Sequence, residues 1–322
     1  MGFIPDYTRN IVSEAEFTET IPQIVRRLEC CRTEGFFDSH DGKPLYYEYF
    51  LAQESRGSIV LVHGCSEFTK KFYELSYYFL NQGYNVFLYD QRGHGLSFRM
   101  AEPVQLVHVD RFDDYVEDLV CFIRNVVMPL ESRPLYLYSH SMGGTVSALL
   151  LAKYDLPIAR AVFSAPMIRP VVRKVPDWLA RISVSLMGRI IGWKKKIWIA
   201  RDFDPNRAYD PETDPSEARY TYYIGLRRGE ERYQSTPLSL GWNRGALYVH
   251  RKLLRQAKKI KVPVLLLSAQ KDQVVRNDYQ EKFVKKLPNG KMVTLGEATH
   301  AMLAGTEKTI AEHVGLTLDF FG

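Results

Sequence analysis

The stretch Tyr138-Ser139-His140-Ser141-Met142-Gly143-Gly144 limits what this chain can fold into more than any other. Before it, Arg133-Pro-Leu-Tyr-Leu-Tyr138 is a short apolar and aromatic run that predicts a buried strand. After it, Thr145-Val-Ser-Ala-Leu-Leu-Leu-Ala152 predicts a helix. A strand that turns sharply into a helix through a serine flanked by small residues is a nucleophile elbow. The turn lifts the Ser141 hydroxyl clear of the sheet edge and aims the first helical N–H groups at it. Gly143 and Gly144 carry no Cβ, so backbone and neighbouring helix can come close. In the usual G-x-S-x-G order the first glycine is here Ser139, which is still small. Ser139 is an alternative nucleophile, but only Ser141 has a glycine two positions later.

Around the elbow the chain alternates between strand-like and helix-like segments. Phe36–Leu51 predicts a β-hairpin turning at Asp41-Gly42, because both residues tolerate positive φ. Further strands are predicted at 58–62, 85–89, 158–164, 262–268 and 291–295, each a short, nearly continuous apolar run. Helices are predicted at 68–81, 110–128, 279–286 and 306–318. Such alternation indicates an α/β fold: a mostly parallel sheet covered by helices on both faces. Residues 1–35 read as an N-terminal extension, helical around Gln23–Leu28 after Pro22. The core is assigned to 36–166 and 260–322.

Residues 167–259 break the alternation and read as an inserted lid. This segment holds all four tryptophans, Trp178, Trp193, Trp198 and Trp242, and Asp-Pro turn signals at 204, 210 and 214. It is also where the charge lies. Residues 160–260 carry 21 Lys/Arg against 9 Asp/Glu, a balance of +12, while the remainder carries 22 against 28, or −6. A basic segment on an acidic body suits an anionic surface or substrate. A phospholipid surface is favoured over nucleic acid, since no nucleic-acid motif is present. Residues 176–199 mix aliphatics with Trp178, Trp193, Trp198 and the cluster Lys194, Lys195, Lys196. They predict a helix that packs on the core first and touches a headgroup layer second.

No apolar stretch approaches the ~18–20 residues of a membrane-spanning helix. The first residues lack the basic start and apolar core of a signal peptide. Asp6 stands where a myristoylation motif needs Ser or Thr. Adjacent Cys30-Cys31, with Cys65 and Cys121, make neither a disulfide framework nor zinc-ligand spacing. A reducing, cytoplasmic setting follows. The eight histidines form no HxxxH or HxH pair, so no metal and no cofactor are expected.

An elbow serine needs a base and an orienting acid, because an alcohol at neutral pH is a poor nucleophile. In chain order the partners should be serine, acid, histidine, each on a loop past a strand. Ser268-Ala-Gln-Lys-Asp272 and Gly296-Glu-Ala-Thr-His300 supply Asp272 and His300 at those places. Asp278 and Glu297 are the alternative acids. The oxyanion of a tetrahedral intermediate needs two N–H donors. Met142, after the nucleophile, offers one; the turn His63-Gly64-Cys65 offers the other, from Cys65, with Glu67 in support. Cys65 as a nucleophile is the competing idea, with no base placed for it by any pattern. His63 and His140 read as shaping the turn and lining the elbow.

His63-Gly64 with Glu67, the loop Tyr89-Asp-Gln-Arg-Gly-His-Gly-Leu-Ser97, the 139–144 elbow, Asp272 and His300 together resemble the lysophospholipase and monoacylglycerol-lipase branch of the α/β-hydrolases, related to the S33 serine aminopeptidases. The resemblance spans 36–319. His108–Leu119 and Ala165-Pro166-Met167 are similar to bacterial lysophospholipases of the cytoplasmic membrane face. It implies an eight-stranded sheet with an inserted helical lid. It also implies hydrolysis of the carboxylic ester of a single-chain lipid, a lysophospholipid first, by way of an acyl-enzyme. A monoacylglycerol lipase or general carboxylesterase is the nearest alternative. A serine aminopeptidase would need lid carboxylates for a free amino terminus, and this lid is basic. A catalytically idle membrane-surface protein would have no need of Ser141, Asp272 and His300 together.

Overall fold

The computed structural model describes residues 11–322 except 132, 173, 174, 198 and 199; Trp198 and the first ten residues of the proposed extension lie outside the described residues. The elements run α1 (Phe17–Cys31), β1 (Arg32–Asp38), β2 (Pro44–Phe50), β3 (Gly57–Val62), α2 (Tyr73–Asn81), β4 (Tyr84–Tyr89), α3 (Phe112–Phe122), β5 (Leu135–His140), α4 (Met142–Lys153) and β6 (Ile158–Ser164). Then follow α5 (Asp177–Ile191), α6 (Glu217–Gly229), α7 (Leu240–Gln256), β7 (Val264–Ala269), α8 (Asn277–Val284), β8 (Gly290–Leu295) and α9 (Glu307–Phe321). The strands form one eight-stranded sheet in the order β1-β2-β4-β3-β5-β6-β7-β8. The β1–β2 and β2–β4 pairs are antiparallel and every later pair is parallel.

Burial on both faces explains why the central strands read as continuous apolar runs. Every residue of β3, β4, β5 and β7 is buried. Val60 and Val62 face a core shared with α3, α4 and α7. Ile59 and Leu61 face the opposite core, shared with α1, α2 and α9. Gly42 makes the hairpin turn at φ 73°, as the Asp41-Gly42 pair predicts.

Residues 17–35 are not an extension. α1 starts before Pro22 and carries it inside the helix. Phe17, Ile21, Ile24 and Leu28 recur at helix spacing and are buried in the second core, so tertiary burial outweighs the proline's missing N–H. β1 then begins at Arg32, ahead of the predicted hairpin. The helix predicted from 68 opens as a tighter turn at Thr69–Phe72 before α2 proper.

The segment between β6 and β7 carries α5, α6 and α7. α7 packs into the first core through Trp242, Ala246, Val249 and Leu253. α5 lies outside α7, and only its Val184 and Gly188 are buried. Trp178, Leu179, Ile182, Leu186, Ile190 and Ile191 are exposed, Ile190 to 71%. The expectation that core packing comes first for this helix is therefore corrected: its apolar arc points outward. Among the described residues no helix is long and apolar enough to cross a membrane.

Candidate active site

β5 ends at His140, and Ser141 sits at φ 50°, ψ −116° before α4 begins at Met142. This is a left-handed conformation for a residue with a Cβ, and its cost of about 1–3 kcal/mol persists only where surroundings impose it. The surroundings do so through contacts that only glycine permits. A Cβ on Gly143 would lie 2.2 Å from the Val62 carbonyl oxygen, and one on Gly144 would lie 2.6 Å from Pro166 Cβ. Ser139 points away from the corner, its hydroxyl 2.6 Å from that of Ser147 in α4.

Two later loops bring their side chains to Ser141. His300 Nε2 is 2.9 Å from Ser141 Oγ, and His300 Nδ1 is 2.8 Å from Asp272 Oδ2. The other carboxylate oxygen of Asp272 accepts the backbone N–H groups of Val274 and Val275 at 2.8 and 2.9 Å. With Asp272 holding Nδ1–H, Nε2 presents a lone pair to the serine hydroxyl. The alternative acids are engaged elsewhere: Asp278 pairs with Arg276 and Lys282, and Glu297 with Lys271 at the surface.

The turn after β3 lies against the nucleophile. A Cβ on Gly64 would stand 3.0 Å from Ser141 Cβ and 2.7 Å from Glu67 Oε2. The Gly64 carbonyl meets His63 Nδ1 at 2.7 Å. His63 Nε2 accepts the Gln91 backbone N–H at 2.9 Å, so both ring nitrogens of this buried histidine are committed to the turn. Burial lowers its pKa, and His63 is a neutral brace. Met142 N–H is the first of α4 and has no intrahelical acceptor. Cys65 is half-buried, and burial pushes its thiol up to about 12, far from the thiolate a nucleophile requires.

Glu67 ties this turn to a half-buried cation, Lys71. The Gly64 N–H donates to Glu67 Oε2 at 2.5 Å, and the Lys71 ammonium donates to Oε1. Burial alone would raise the Glu67 carboxyl; Lys71, His140 and the Gly64 N–H overcome it and hold the group at about 2. His140 is buried, its ring 5.2 Å from that of His300. Burial, reinforced by His300 and Lys71, lowers its pKa to about 4, so it is neutral at neutral pH. Lys71 and Tyr223 are absent from the sequence reading; the signal for the first is the four-residue spacing from Glu67 to Lys71 across the entry of the predicted 68–81 helix. Asp90 also exceeds its sequence reading. It accepts the N–H groups of Thr69 and Leu96, both at 2.7 Å, and so joins the α2 entry to the 90–97 loop.

The predicted surface residues divide. Trp178 is exposed, and Lys194 and Lys195 are exposed. Lys196 pairs with Asp202 at 2.7 Å. Trp193 packs over Gly188, under the Arg244 guanidinium, and Trp242 is buried against Phe112. Among the described residues, His40, Asp41 and Asp118 alone gather as a metal-ligating set would. Arg92 donates to Asp41 and Asp118 at 3.1 and 2.7 Å and stands 2.9 Å from His40 Nδ1, so a guanidinium fills that cluster.

A seryl oxygen against an imidazole, beside a strained turn with backbone donors, can attack a carbonyl carbon and hold the resulting oxyanion. The profile of the family described as serine aminopeptidase, S33, matches residues 53–307. Lysophospholipase L2 of Escherichia coli (strain K12) is 28% identical over 305 residues, covering 90% of this chain and 87% of that protein. Probable lysophospholipase L2 of Haemophilus influenzae is 28% identical over 262 residues, covering 80% and 82%. Among solved structures, a soluble variant of monoglyceride lipase from Saccharomyces cerevisiae superposes with a TM-score of 0.68 at 19% identity, over 90% of this chain and 97% of that one. That likeness speaks for the fold, while the profile carries the family. The chain belongs to the serine aminopeptidase, S33, family and has the α/β-hydrolase fold.

Proposed function

We propose that this ester hydrolase cleaves the carboxylic ester of a single-chain lipid, a lysophospholipid foremost, through an acyl-enzyme on Ser141. The observation that carries the reading is the continuous line from Ser141 Oγ through His300 to Asp272, at 2.9 and 2.8 Å. His300 takes the Ser141 proton as Oγ attacks the ester carbon and returns it to the departing alcohol oxygen. Asp272 fixes the tautomer and stabilises the imidazolium. The N–H groups of Cys65 and Met142 hold the oxyanion. Water then attacks the acyl-enzyme by the same proton path and releases the fatty acid. The choice of lysophospholipid rests on the printed names of the Escherichia coli and Haemophilus influenzae relatives and on the basic 160–260 segment.

A fluorophosphonate probe, followed by peptide mass analysis, tests the nucleophile. The label should sit on Ser141 alone, and a label on Ser139 or Cys65 would overturn the assignment. A parallel panel of lysophospholipid, monoacylglycerol and aminoacyl substrates should show the lysophospholipid turned over fastest.

Within the 167–259 segment, which serves as a lid, α5 provides contact with an anionic membrane. Trp178, Ile182, Leu186 and Ile190 follow one another four residues apart on the outward arc. Lys194 and Lys195 stand exposed just past the helix end. An apolar arc bordered by lysines matches a headgroup layer, where tryptophan takes the interface and lysine reaches phosphate. Converting Ile182 and Leu186 together to glutamate should lower the fraction sedimenting with phosphatidylglycerol vesicles about tenfold. Undiminished binding in low salt would remove the membrane contact.

A further inference from the structure

The turn that offers the Cys65 N–H has a second support, from far along the chain. Ser66 sits at φ 63°, left-handed for a residue with a Cβ, and such a conformation needs an external hold. Its carbonyl accepts a hydrogen bond from the Tyr223 hydroxyl at 3.0 Å. Tyr223 belongs to α6, inside the inserted segment. Its ring stacks on Phe68 with centroids 5.7 Å apart, and the Lys71 ammonium lies 4.5 Å from the ring centre. The tyrosine therefore closes a ring of contacts around the turn: Gly64 N–H to Glu67, Glu67 to Lys71, Lys71 to the Tyr223 face, and Tyr223 hydroxyl back to Ser66.

α6 is in turn fastened to the body. Arg219, one turn before Tyr223, is buried and donates to Glu74 at 2.6 Å, to Glu14 at 3.1 Å and to the Val12 carbonyl at 2.8 Å. Its guanidinium lies over the Phe17 ring at 4.5 Å. The Ser216 hydroxyl, at the N-cap of α6, donates to Glu14 at 2.6 Å. Charged and aromatic contacts from α2 and from residues 12–17 thus hold α6 at the place where its tyrosine meets the turn.

We propose that Tyr223 is a positioning residue for the oxyanion turn: its hydroxyl holds Ser66 in the left-handed conformation and so keeps the Cys65 N–H aimed at the reacting carbonyl. The inserted segment then supplies a fixed buttress through α6 as well as the outward face of α5. This rests on the reading of Ser141 as nucleophile and of Cys65 N–H as an oxyanion donor. Tyr223 does not touch the reacting atoms in this scheme; it acts through Ser66.

Tyr223→Phe keeps the ring, its stack on Phe68 and its face toward Lys71, and removes only the donated hydrogen bond. With p-nitrophenyl butyrate, kcat should fall about tenfold, less than loss of a donor itself, while KM stays within about twofold. Affinity for an alkylboronic acid, whose tetrahedral adduct occupies the oxyanion position, should fall in the same proportion, with the melting temperature held within about 2 °C. An unchanged kcat, or a loss confined to KM, overturns the positioning role. Ser141→Ala run beside it separates the two levels. An inert Ser141→Ala with an unaffected Tyr223→Phe refutes the role of Tyr223 alone, and an active Ser141→Ala refutes the reading beneath it.

Discussion

Ser141→Ala lowers kcat for a lysophospholipid or a p-nitrophenyl ester by about 10⁵-fold or more, the range met when an activated serine is removed from such a site. In the proposed reaction the Oγ atom is the group that bonds to the acyl carbon, and neither alternative candidate replaces it. Ser139 is turned into α4 toward Ser147, and the Cys65 thiol is held at about 12 by burial. Alanine keeps the Cβ that the φ 50° corner already accommodates, so the backbone strain is the same in both proteins. What goes is one hydrogen bond to a partly exposed imidazole, worth about 1 kcal/mol. The melting temperature should therefore move by only a few degrees while turnover vanishes. Product release measured beside a thermal melt reads both quantities. Turnover within tenfold of the parent would move the nucleophile elsewhere.

Glu67→Ala is the second large effect, and it acts on stability and rate together. It leaves the Lys71 ammonium enclosed without its anion and the Gly64 N–H without its acceptor. Breaking a largely buried ion pair from one side costs about 3–5 kcal/mol, which in a chain of this size lowers the melting temperature by roughly 4–7 °C. The pH dependence has a definite sign. The folded-state carboxyl is held at about 2 against an ordinary 4.5, so its contribution is complete above 4.5 and fades as pH falls from 4.5 toward 2. The gap in melting temperature between parent and variant should be wide at pH 7 and narrow through that acid window. A gap of constant width would show that Glu67 acts through packing alone. The rate falls as well, because the freed Gly64 peptide no longer orients its neighbour Cys65.

The positions of most strands, and the three residues Ser141, Asp272 and His300 that the structure brings together, are legible in the sequence for one reason. Each depends on local pattern: continuous apolar runs for strands buried on both faces, and chemistry-bearing residues immediately past their ends. What escaped depends on contacts made across the chain. Pro22 reads as a helix boundary locally, yet Phe17, Ile21, Ile24 and Leu28 meet a core assembled from α2 and α9, and that burial decides. The periodicity of α5 shows that one arc is apolar but not whether it turns inward; Val184 and Gly188, the two residues that do face the body, are among its smaller ones. Tyr223 and Ser66 are 157 residues apart, and no spacing rule joins them.

The 167–259 segment leaves the sheet after β6 and returns to it at β7, two strands that lie side by side in parallel register. The segment therefore leaves past the C-terminal end of β6 and rejoins at the N-terminal end of β7, so it must cross back over the length of the sheet. α7, packed into the core, and α6, whose Tyr223 meets the Ser66 turn, are bound to that crossing, which leaves the outward α5 as the part free to vary without disturbing the bond-breaking corner.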